Sequence, residues 1–503
     1  MTIHNVSLFT TIFNIFKFCV LYITSSLGIS LERFIKCRKV KNINDIVSEY
    51  GYRARDHVVT TKDGYLLVIH KLEKLHNVTD HHSSSGQIVY FHHGLMTNSE
   101  LWVLGSSKEK SLPFLLVDLG YEVWLGNNRG NKYSKKHLKL SSASPEFWDF
   151  SLDELAYFDV PDSLKYIQDF YKYKRNGQYV DQVQEYLNRN LKQDPHGNGN
   201  GNGNGNGNCD NDSGGEFLEE STQSSTPLPQ HLNSSSTTTL VSNSVAGHGH
   251  SRDIIYIGFS QGCSQLLASL GLYPSLNGTI KLFVGLSPAI IPKQLPNSIV
   301  RLITDQTAAD NTFLYSFFGQ RAILPSVPFW ATIFGARLHG KIIDKAVQIL
   351  FGWTGDNISQ GQKMKGYPQL FSNTSVKTIV HWYQIVKSGY FQMFDETGSC
   401  GLTGLSSISA DCRQKGTRVT PFPISDHLDV PMMLFFGDKD ILVDVELTKS
   451  LILDSNPMMN EKLEVVKCYG YEHMDTLWGN DVYDKVFSKI IDRLESNGLL
   501  EGK

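Results

Sequence analysis

Residues 253–272 read DIIYIGFSQGCSQLLASLGL, and the fold turns on what surrounds Ser260. The apolar run Ile254 to Ile257 enters Gly258-Phe259-Ser260-Gln261-Gly262, and a proline-free stretch of helical character leaves it. A bare Gly-x-Ser-x-Gly pattern decides little in a chain with 42 Gly. Between a strand and a helix, however, it describes a sharp turn that lifts a serine clear of a sheet, with glycines on either side letting the two elements approach. Serine is a weak nucleophile, so this reading requires a base within hydrogen-bond reach and a carboxylate to orient that base.

Working outward, QIVYFHHG (87–94) and YEVWLGNNRG (121–130) are short apolar runs ending in glycine, and SLPFLLVDLG (111–120) between them has helical spacing closed by Gly120. Strand, helix, strand in succession predicts parallel pairing and an α/β class. Upstream, DHVVTTKDGYLLVIHKL (56–72) alternates around Asp63-Gly64 as a β-hairpin does. DELAYFDVPDSLKYIQDFY (153–171) reads as a helix with a proline near its first turns, and KLFVGLSP (281–288) as a further strand. VPMMLFFGDKDILVD (430–444) and KLEVVKCYGYEHMD (462–475) return to strand and loop before a closing helix, VYDKVFSKIIDRLES. The apolar stretches FLYSFFG (313–319), ILPSVPFWATIFGARL (323–338) and KAVQILFGW (345–353) are broken by Pro and Gly and lie between two halves of the sheet. They are expected to form a cap over the crevice at the carboxyl ends of the strands.

The 503 residues are 41% hydrophobic and 19% charged, an ordinary globular balance, and a net charge of -3 argues against a nucleic-acid partner. The 7 Cys are scattered with no Cys-x-x-Cys pair and no Cys/His cluster of zinc spacing. Residues 8–31, LFTTIFNIFKFCVLYITSSLGISL, reach the ~20 residues that a bilayer core requires. Lys and Arg residues come after this stretch and none precedes it, the reverse of a cleavable signal, which is expected to keep the downstream chain in the cytosol. Thr10, Asn14 and Lys17 make a polar stripe on it, so the expected anchor either spans the membrane or lies in its surface. Residues 176–252, with NGNGNGNGN inside, are too poor in apolar residues to offset the entropy of ordering and read as a disordered insertion.

In an α/β-hydrolase arrangement the partners come after the serine in the order acid, then histidine, which excludes His57, His92, His93 and His137 as the base. His339 and His381 fall in the expected cap and His427 precedes a strand, whereas His473 lies after the last strand and before a helix. For the acid, the strand ending at Phe436 delivers Asp438, Asp440 and Asp444; Asp440 is preferred because Ile441-Leu442 can anchor its loop, with Asp438 second. Oxyanion donors are expected from the backbone N–H of Gln261 and, in FHHGLM, of Leu95. The pair His92-His93 has no carboxylate at ligand spacing, so neither a metal nor a cofactor is expected.

Several segments together resemble the acid lipase family, which includes gastric and lysosomal lipases, and look most similar to its membrane-anchored fungal steryl ester hydrolases. They are YGYRARDHVVTTKDGYLL, HHGLMTNSELWVL, GYEVWLGNNRGNKYSKKH, FWDFSLDELAYFDVPDSLKYI, IGFSQG, NTSVKTIVHWYQIVKSGYFQMFD, GDKDILVD and EHMD, in that order. The resemblance implies an α/β-hydrolase fold with a mostly parallel sheet and an inserted, mainly helical cap or lid. It carries the triad to Ser260, Asp440 and His473 and the oxyanion hole to Leu95 and Gln261.

The resulting expectation is an anchor and basic segment at 1–45, core at 46–175, the insertion at 176–252, core with the serine turn at 253–290, a cap at 291–425 and the remaining core at 426–503. The expected substrates are steryl esters first and triacylglycerols second. A general carboxylesterase and a non-catalytic lipid-binding member of the fold are the alternatives. The N-terminal segment is expected to hold the protein on a lipid surface, a lipid droplet or the endoplasmic reticulum, with the plasma membrane as the alternative and the catalytic part in the cytosol.

Overall fold

The chain reverses at Asp63-Gly64 because Gly64 takes φ 100°, a conformation that side-chain-bearing residues avoid. Strands β1 (Tyr52–Thr60) and β2 (Tyr65–Lys74) therefore pair antiparallel, with Thr60 opposite Leu66 and Tyr52 opposite Lys74. The structure, a computed structural model, describes residues 41–75, 86–175, 254–293, 312–323, 327–396, 420–424 and 427–496, with positions 301 and 305. These belong to the unit built from residues 1–179 and 251–503. The candidate anchor 8–31 and the insertion 176–252 lie outside the described residues. Among the described residues no helix is long and apolar enough to cross a membrane.

Further strands are β3 (Ile88–His92), β4 (Glu122–Leu125), β5 (Lys136–His137), β6 (Ile254–Phe259) and β7 (Ile280–Leu286). A separate two-stranded ribbon joins β8 (Ala322–Ile323) to β9 (Thr374–Ser375), and β10 (Met432–Gly437) and β11 (Leu463–Cys468) complete the main sheet. The spatial order is β1-β2-β4-β3-β6-β7-β10-β11, with β5 paired to β2. Every pair from β4 to β11 along this path is parallel. The chain passes from β3 outward to β4, then returns to the other side of β3 to lay down β6. Order reverses there, and at such a point a crevice opens outside the carboxyl ends of the strands. This is an α/β-hydrolase fold with a mostly parallel central sheet, as the resemblance implies, and the α/β class agrees with the alternation of strands and helices.

The sheet is covered on both faces, which explains why its inner strands read as continuous apolar runs. Ile255, Ile257 and Phe259 of β6 enter one core cluster, with Val89 and Phe91. Ile254 and Tyr256 enter the other, with Ile88 and Tyr90.

Helix Ile43–Val47 precedes β1; a capping box between Asn42 and Asp45 starts it, and Ile43, Ile46 and Val47 are buried. The stretch read as one helix from 153 starts as an α-helical turn at Leu152–Glu154, then widens at Leu155–Asp159 before helix Val160–Arg175. Pro161 comes at once after it, and its missing N–H removes a helical donor.

The cap region is chiefly helical, with helices Thr312–Phe318, Val327–Phe351, Gln360–Leu370 and Val376–Ser388. The longest is kinked at Gly335, where φ is 71°. Gln362 ties the third of these helices to the core by donating to the carbonyl of Leu104 at 2.8 Å.

Candidate active site

Ser260 sits at φ 53° and ψ -119°, one of three non-glycine residues with positive φ among the described residues. Strain of this kind persists only where the surroundings enforce it. Here the next residue already starts the helix Gln261–Leu272, so the serine bends the chain between the last position of β6 and the helix. The flanking glycines have steric reasons. A Cβ on Gly258 would stand 3.0 Å from the Cys263 nitrogen, and one on Gly262 only 2.4 Å from the carbonyl oxygen of His92. The turn is thus wedged against the loop after β3.

That loop carries Leu95. Neither its backbone N–H nor that of Gln261 takes a hydrogen-bond partner among the described residues. Gln261 is the first residue of a twelve-residue helix, whose opening N–H groups have no partner within the helix. The loop is close to the serine, since a Cβ on Gly94 would lie 3.0 Å from the Ser260 Cβ.

His92 and His93 form the buried backing of this loop. Nδ1 of His92 meets Tyr90 Oη at 3.0 Å and its Nε2 meets Asn128 Oδ1 at 2.8 Å. The backbone N–H of Asn128 donates to His93 Nε2 at 3.0 Å, so His93 Nδ1 carries the proton and donates to the carbonyl of Gly94 at 2.8 Å. Burial holds both rings neutral, pushing His92 down to about 4 and His93 to about 3. Their ring nitrogens are engaged in holding the loop. Among the described residues no group of three or more His, Cys, Asp or Glu could hold a metal ion.

The three aspartates after β10 divide cleanly. Asp438 accepts the backbone N–H of Gly470 at 2.7 Å and secures the turn after β11. Asp444 caps helix Val445–Ser455 by accepting from Leu447 N. Asp440 is buried, accepts from Leu442 N at 2.9 Å, and presents Oδ2 to His473 Nδ1 at 2.7 Å. The other ring nitrogen, Nε2, stands 2.8 Å from Ser260 Oγ. Gly437 makes this meeting sterically feasible, since a Cβ there would fall 2.1 Å from the carbonyl oxygen of Tyr471.

Ser260, Asp440 and His473 thus converge from three strand ends, and among the described residues no other histidine joins them. His339 is buried in the cap, and His381 is buried with Nε2 against the carbonyl of Gln392 at 2.8 Å. His137 contacts the carbonyl of Asp63 at 2.9 Å. Cys263, three residues beyond the serine, is no rival nucleophile, because burial pushes its thiol far above the usual range.

Several supporting residues escaped the reading of the sequence. Ser287, at the end of β7 with φ 46°, donates its hydroxyl to the carbonyl of His473 at 2.8 Å. Trp382 of the cap donates to Gln261 Oε1 at 2.7 Å. Trp353 stacks on the His473 ring, and Glu472 holds the backbone beside that tryptophan. Only Ser287 left a local signal, as a polar residue just past the carboxyl end of a strand.

The run GNNRGNKYSKKH also acquires a physical role. Arg129, buried, bonds Asp159 through Nε at 2.7 Å and Asp63 through both terminal nitrogens, with its guanidinium 3.9 Å above the Tyr65 ring. It locks the hairpin turn to the widened helical turn and takes no direct part in the serine cluster.

Comparison with known proteins extends this picture along most of the chain. A family model described as a partial α/β-hydrolase lipase region matches residues 43–106. A probable lipase of Schizosaccharomyces pombe is 34% identical over 466 residues, covering 93% of this chain and 82% of that protein. Lipase member J of Homo sapiens is 24% identical over 91% of this chain and 100% of its own. Gastric triacylglycerol lipase of Bos taurus is 24% identical over 90% of each. With likeness of this extent laid over an α/β-hydrolase sheet, the chain belongs to the acid lipase family of the α/β hydrolases.

Proposed function

We propose that the protein is a serine lipase that hydrolyses lipid esters through Ser260, His473 and Asp440. The observation that carries this reading is the continuous path from Asp440 Oδ2 through both nitrogens of one imidazole to Ser260 Oγ, at 2.7 and 2.8 Å. His473 Nε2 takes the hydroxyl proton as Oγ attacks the ester carbonyl, and Asp440 stabilises the imidazolium that forms. The carbonyl oxygen becomes an oxyanion held by the N–H groups of Leu95 and Gln261, each worth about 3 kcal/mol in the transition state. As the intermediate collapses the C–O bond breaks, the alcohol leaves with the proton from His473, and an acyl-serine remains. Water, deprotonated by the same imidazole, then releases the fatty acid and restores Ser260.

Relatives named as lipases support a lipid ester as the substrate class. Within it we favour steryl esters over triacylglycerols, a preference that rests on the sequence resemblance to membrane-anchored fungal members. We assign residues 8–31 to holding the enzyme on a lipid droplet or endoplasmic reticulum surface, since a water-insoluble ester is accessible only to an enzyme at its interface. The decisive experiment is labelling by a fluorophosphonate, expected on the wild type and abolished in Ser260→Ala. Folded wild-type protein that takes no label is not a serine hydrolase. Hydrolysis of emulsified cholesteryl oleate, triolein and a short soluble ester, compared side by side, assigns the substrate preference. Equal loss of soluble-ester hydrolysis and droplet recovery on deleting residues 1–31 would remove the anchor from this reading.

A further inference from the structure

The cap's long helix ends at Gly352, where φ is 74°, and the chain then runs across the His473 loop. The indole of Trp353 lies on the His473 imidazole, ring centroids 5.4 Å apart and planes 4° from parallel, with Phe351 stacked on the indole in turn at 4.5 Å. Two carboxylates flanking His473 in sequence fasten this segment. Glu472 accepts from Thr354 N and Gly355 N, each at 2.8 Å, and from Thr354 Oγ1 at 3.1 Å. Asp475 accepts from Asn357 Nδ2 at 2.8 Å and from Glu472 N at 2.7 Å. Neither carboxylate bonds the imidazole, so their function is to hold what touches it.

The indole is placed at a cost. Its Nε1 is buried with no hydrogen-bond partner among the described residues, whereas buried indole N–H groups usually find one. Phenylalanine would fill space without that penalty. What tryptophan adds is the strongest aromatic face for a cation, and a cation forms in this position during turnover. The imidazole is already fixed at its edge by Asp440 and Ser260, with Phe259 tilted against it at 5.1 Å. From the cap, the charged groups around this segment are Lys363, close to Gly355, and Asp344, which pairs with Lys363 at 3.0 Å and accepts the neutral Tyr367 hydroxyl. On the loop itself stand Glu472 and Asp475. None of these bonds the ring.

We propose that Trp353 is a positioning residue for the base: its face keeps the imidazole aligned between Asp440 and Ser260 and stabilises the imidazolium, and Glu472 fixes the indole in place. The inference rests on the reading of Ser260, His473 and Asp440 as a catalytic triad. It makes the cap part of the catalytic geometry as well as a cover.

The test measures kcat/KM for a short soluble ester against pH, using full-length wild type, Trp353→Leu, Trp353→Phe and Glu472→Gln, with thermal midpoints recorded for each. Loss of the π face lowers the affinity of the imidazole for its proton, so the acidic limb of Trp353→Leu moves down by about half a pH unit. Its plateau falls about tenfold, in kcat with KM nearly unchanged. Trp353→Phe lies between wild type and Trp353→Leu, and Glu472→Gln shifts in the same direction. Unchanged profiles, or a fall in activity with the limb fixed, reduce Trp353 to packing and overturn the proposal. Should Trp353→Leu not fold, the limb of Trp353→Phe decides alone. Wild type that neither hydrolyses the ester nor takes a fluorophosphonate on Ser260 fails at the triad, and is thereby told apart from failure of this inference.

Discussion

Trp382 of the cap donates its indole N–H to Gln261 Oε1 across 2.7 Å, and Gln261 is the residue immediately after the serine. The bond joins helix Val376–Ser388 to the first turn of the helix after Ser260, and both residues are buried. Trp382→Phe leaves the Gln261 oxygen without its donor. A buried acceptor stripped of its partner costs about 1–3 kcal/mol. Part of that cost falls on the backbone N–H proposed to bind the oxyanion, so we expect a lower urea midpoint together with a severalfold loss of kcat on a soluble ester. Loss of stability with kcat unchanged would make the bond a cap fastening alone.

Gly262 carries a sharper constraint. Its missing side chain is what lets the serine turn press against the carbonyls of His92 and His93, 2.4 and 2.9 Å from a Cβ built there. Backbone cannot step aside as a side chain can, so Gly262→Ala is expected to destabilise by more than about 2 kcal/mol and to displace the Leu95 loop. Gly278 has no atom within 4 Å of the same construction, and Gly278→Ala should stay within about 0.5 kcal/mol of wild type. Equilibrium unfolding of the pair separates close approach from a general intolerance of substitution.

Much of this architecture was legible because it is written locally. The hairpin at Asp63-Gly64, the strand entering Ser260 and the glycines that let turns pass each carry their reason within a few residues. Chain order together with strand ends singled out His473, and the structure separates Asp440 from Asp438 by giving the latter to Gly470. What could not be read is contact across long separations. Glu472 adjoins His473 in sequence, yet its partners Thr354 and Gly355 lie more than a hundred residues upstream, and a glutamate in a loop gives no hint of them. The widened turn at Leu155–Asp159 was hidden for another reason: apolar spacing is blind to the N–H that Pro161 lacks. Helix Ile43–Val47 likewise leans on a distant partner, Tyr133, whose hydroxyl accepts from Ile43 N at 2.9 Å.

Ser260 itself stores backbone strain, and its removal should be visible in stability. At φ 53° and ψ -119° a Cβ is unwelcome, and such positions cost on the order of 1–3 kcal/mol. Ser260→Ala keeps the Cβ and the strain, whereas Ser260→Gly removes both. Elsewhere glycine is usually the less stable of the two by about 0.5–1 kcal/mol. Here the order should reverse, with Ser260→Gly melting above Ser260→Ala although neither takes a fluorophosphonate. A glycine variant that melts lower would show that the turn is not strained.

Acid and base responses should oppose each other within the core, and Asp153 offers a way to separate them. It lies at the contact of the turn before helix Val160–Arg175 with the cap: Oδ2 accepts from Phe394 N at 3.0 Å, while Oδ1 is buried with no hydrogen-bond partner among the described residues, 3.9 Å from His381 Nδ1. Burial, reinforced by the nearby Glu154 and Glu396 and moderated by Phe394 N and Lys377, raises this carboxyl to about 7. A folded pKa raised above the unfolded value means that the folded state binds the extra proton, so the stability this group contributes is present below about pH 4, is lost as pH rises from about 4 to about 7, and changes little above 7. His92 and His381, each pushed down to about 4 chiefly by burial, act in the contrary sense: the unfolded state binds their protons first, and stability drains away as pH falls from 6.5 towards 4. Asp153→Asn cannot ionise, and its amide can donate to His381 Nδ1, whose other nitrogen faces a carbonyl. The variant should therefore gain on wild type progressively as pH rises from about 4 to about 7, by about 2 kcal/mol between pH 5 and pH 7, and hold that margin above pH 7. Denaturant midpoints measured from pH 5 to 9 test this, and a difference independent of pH would mean that Asp153 does not titrate in that range.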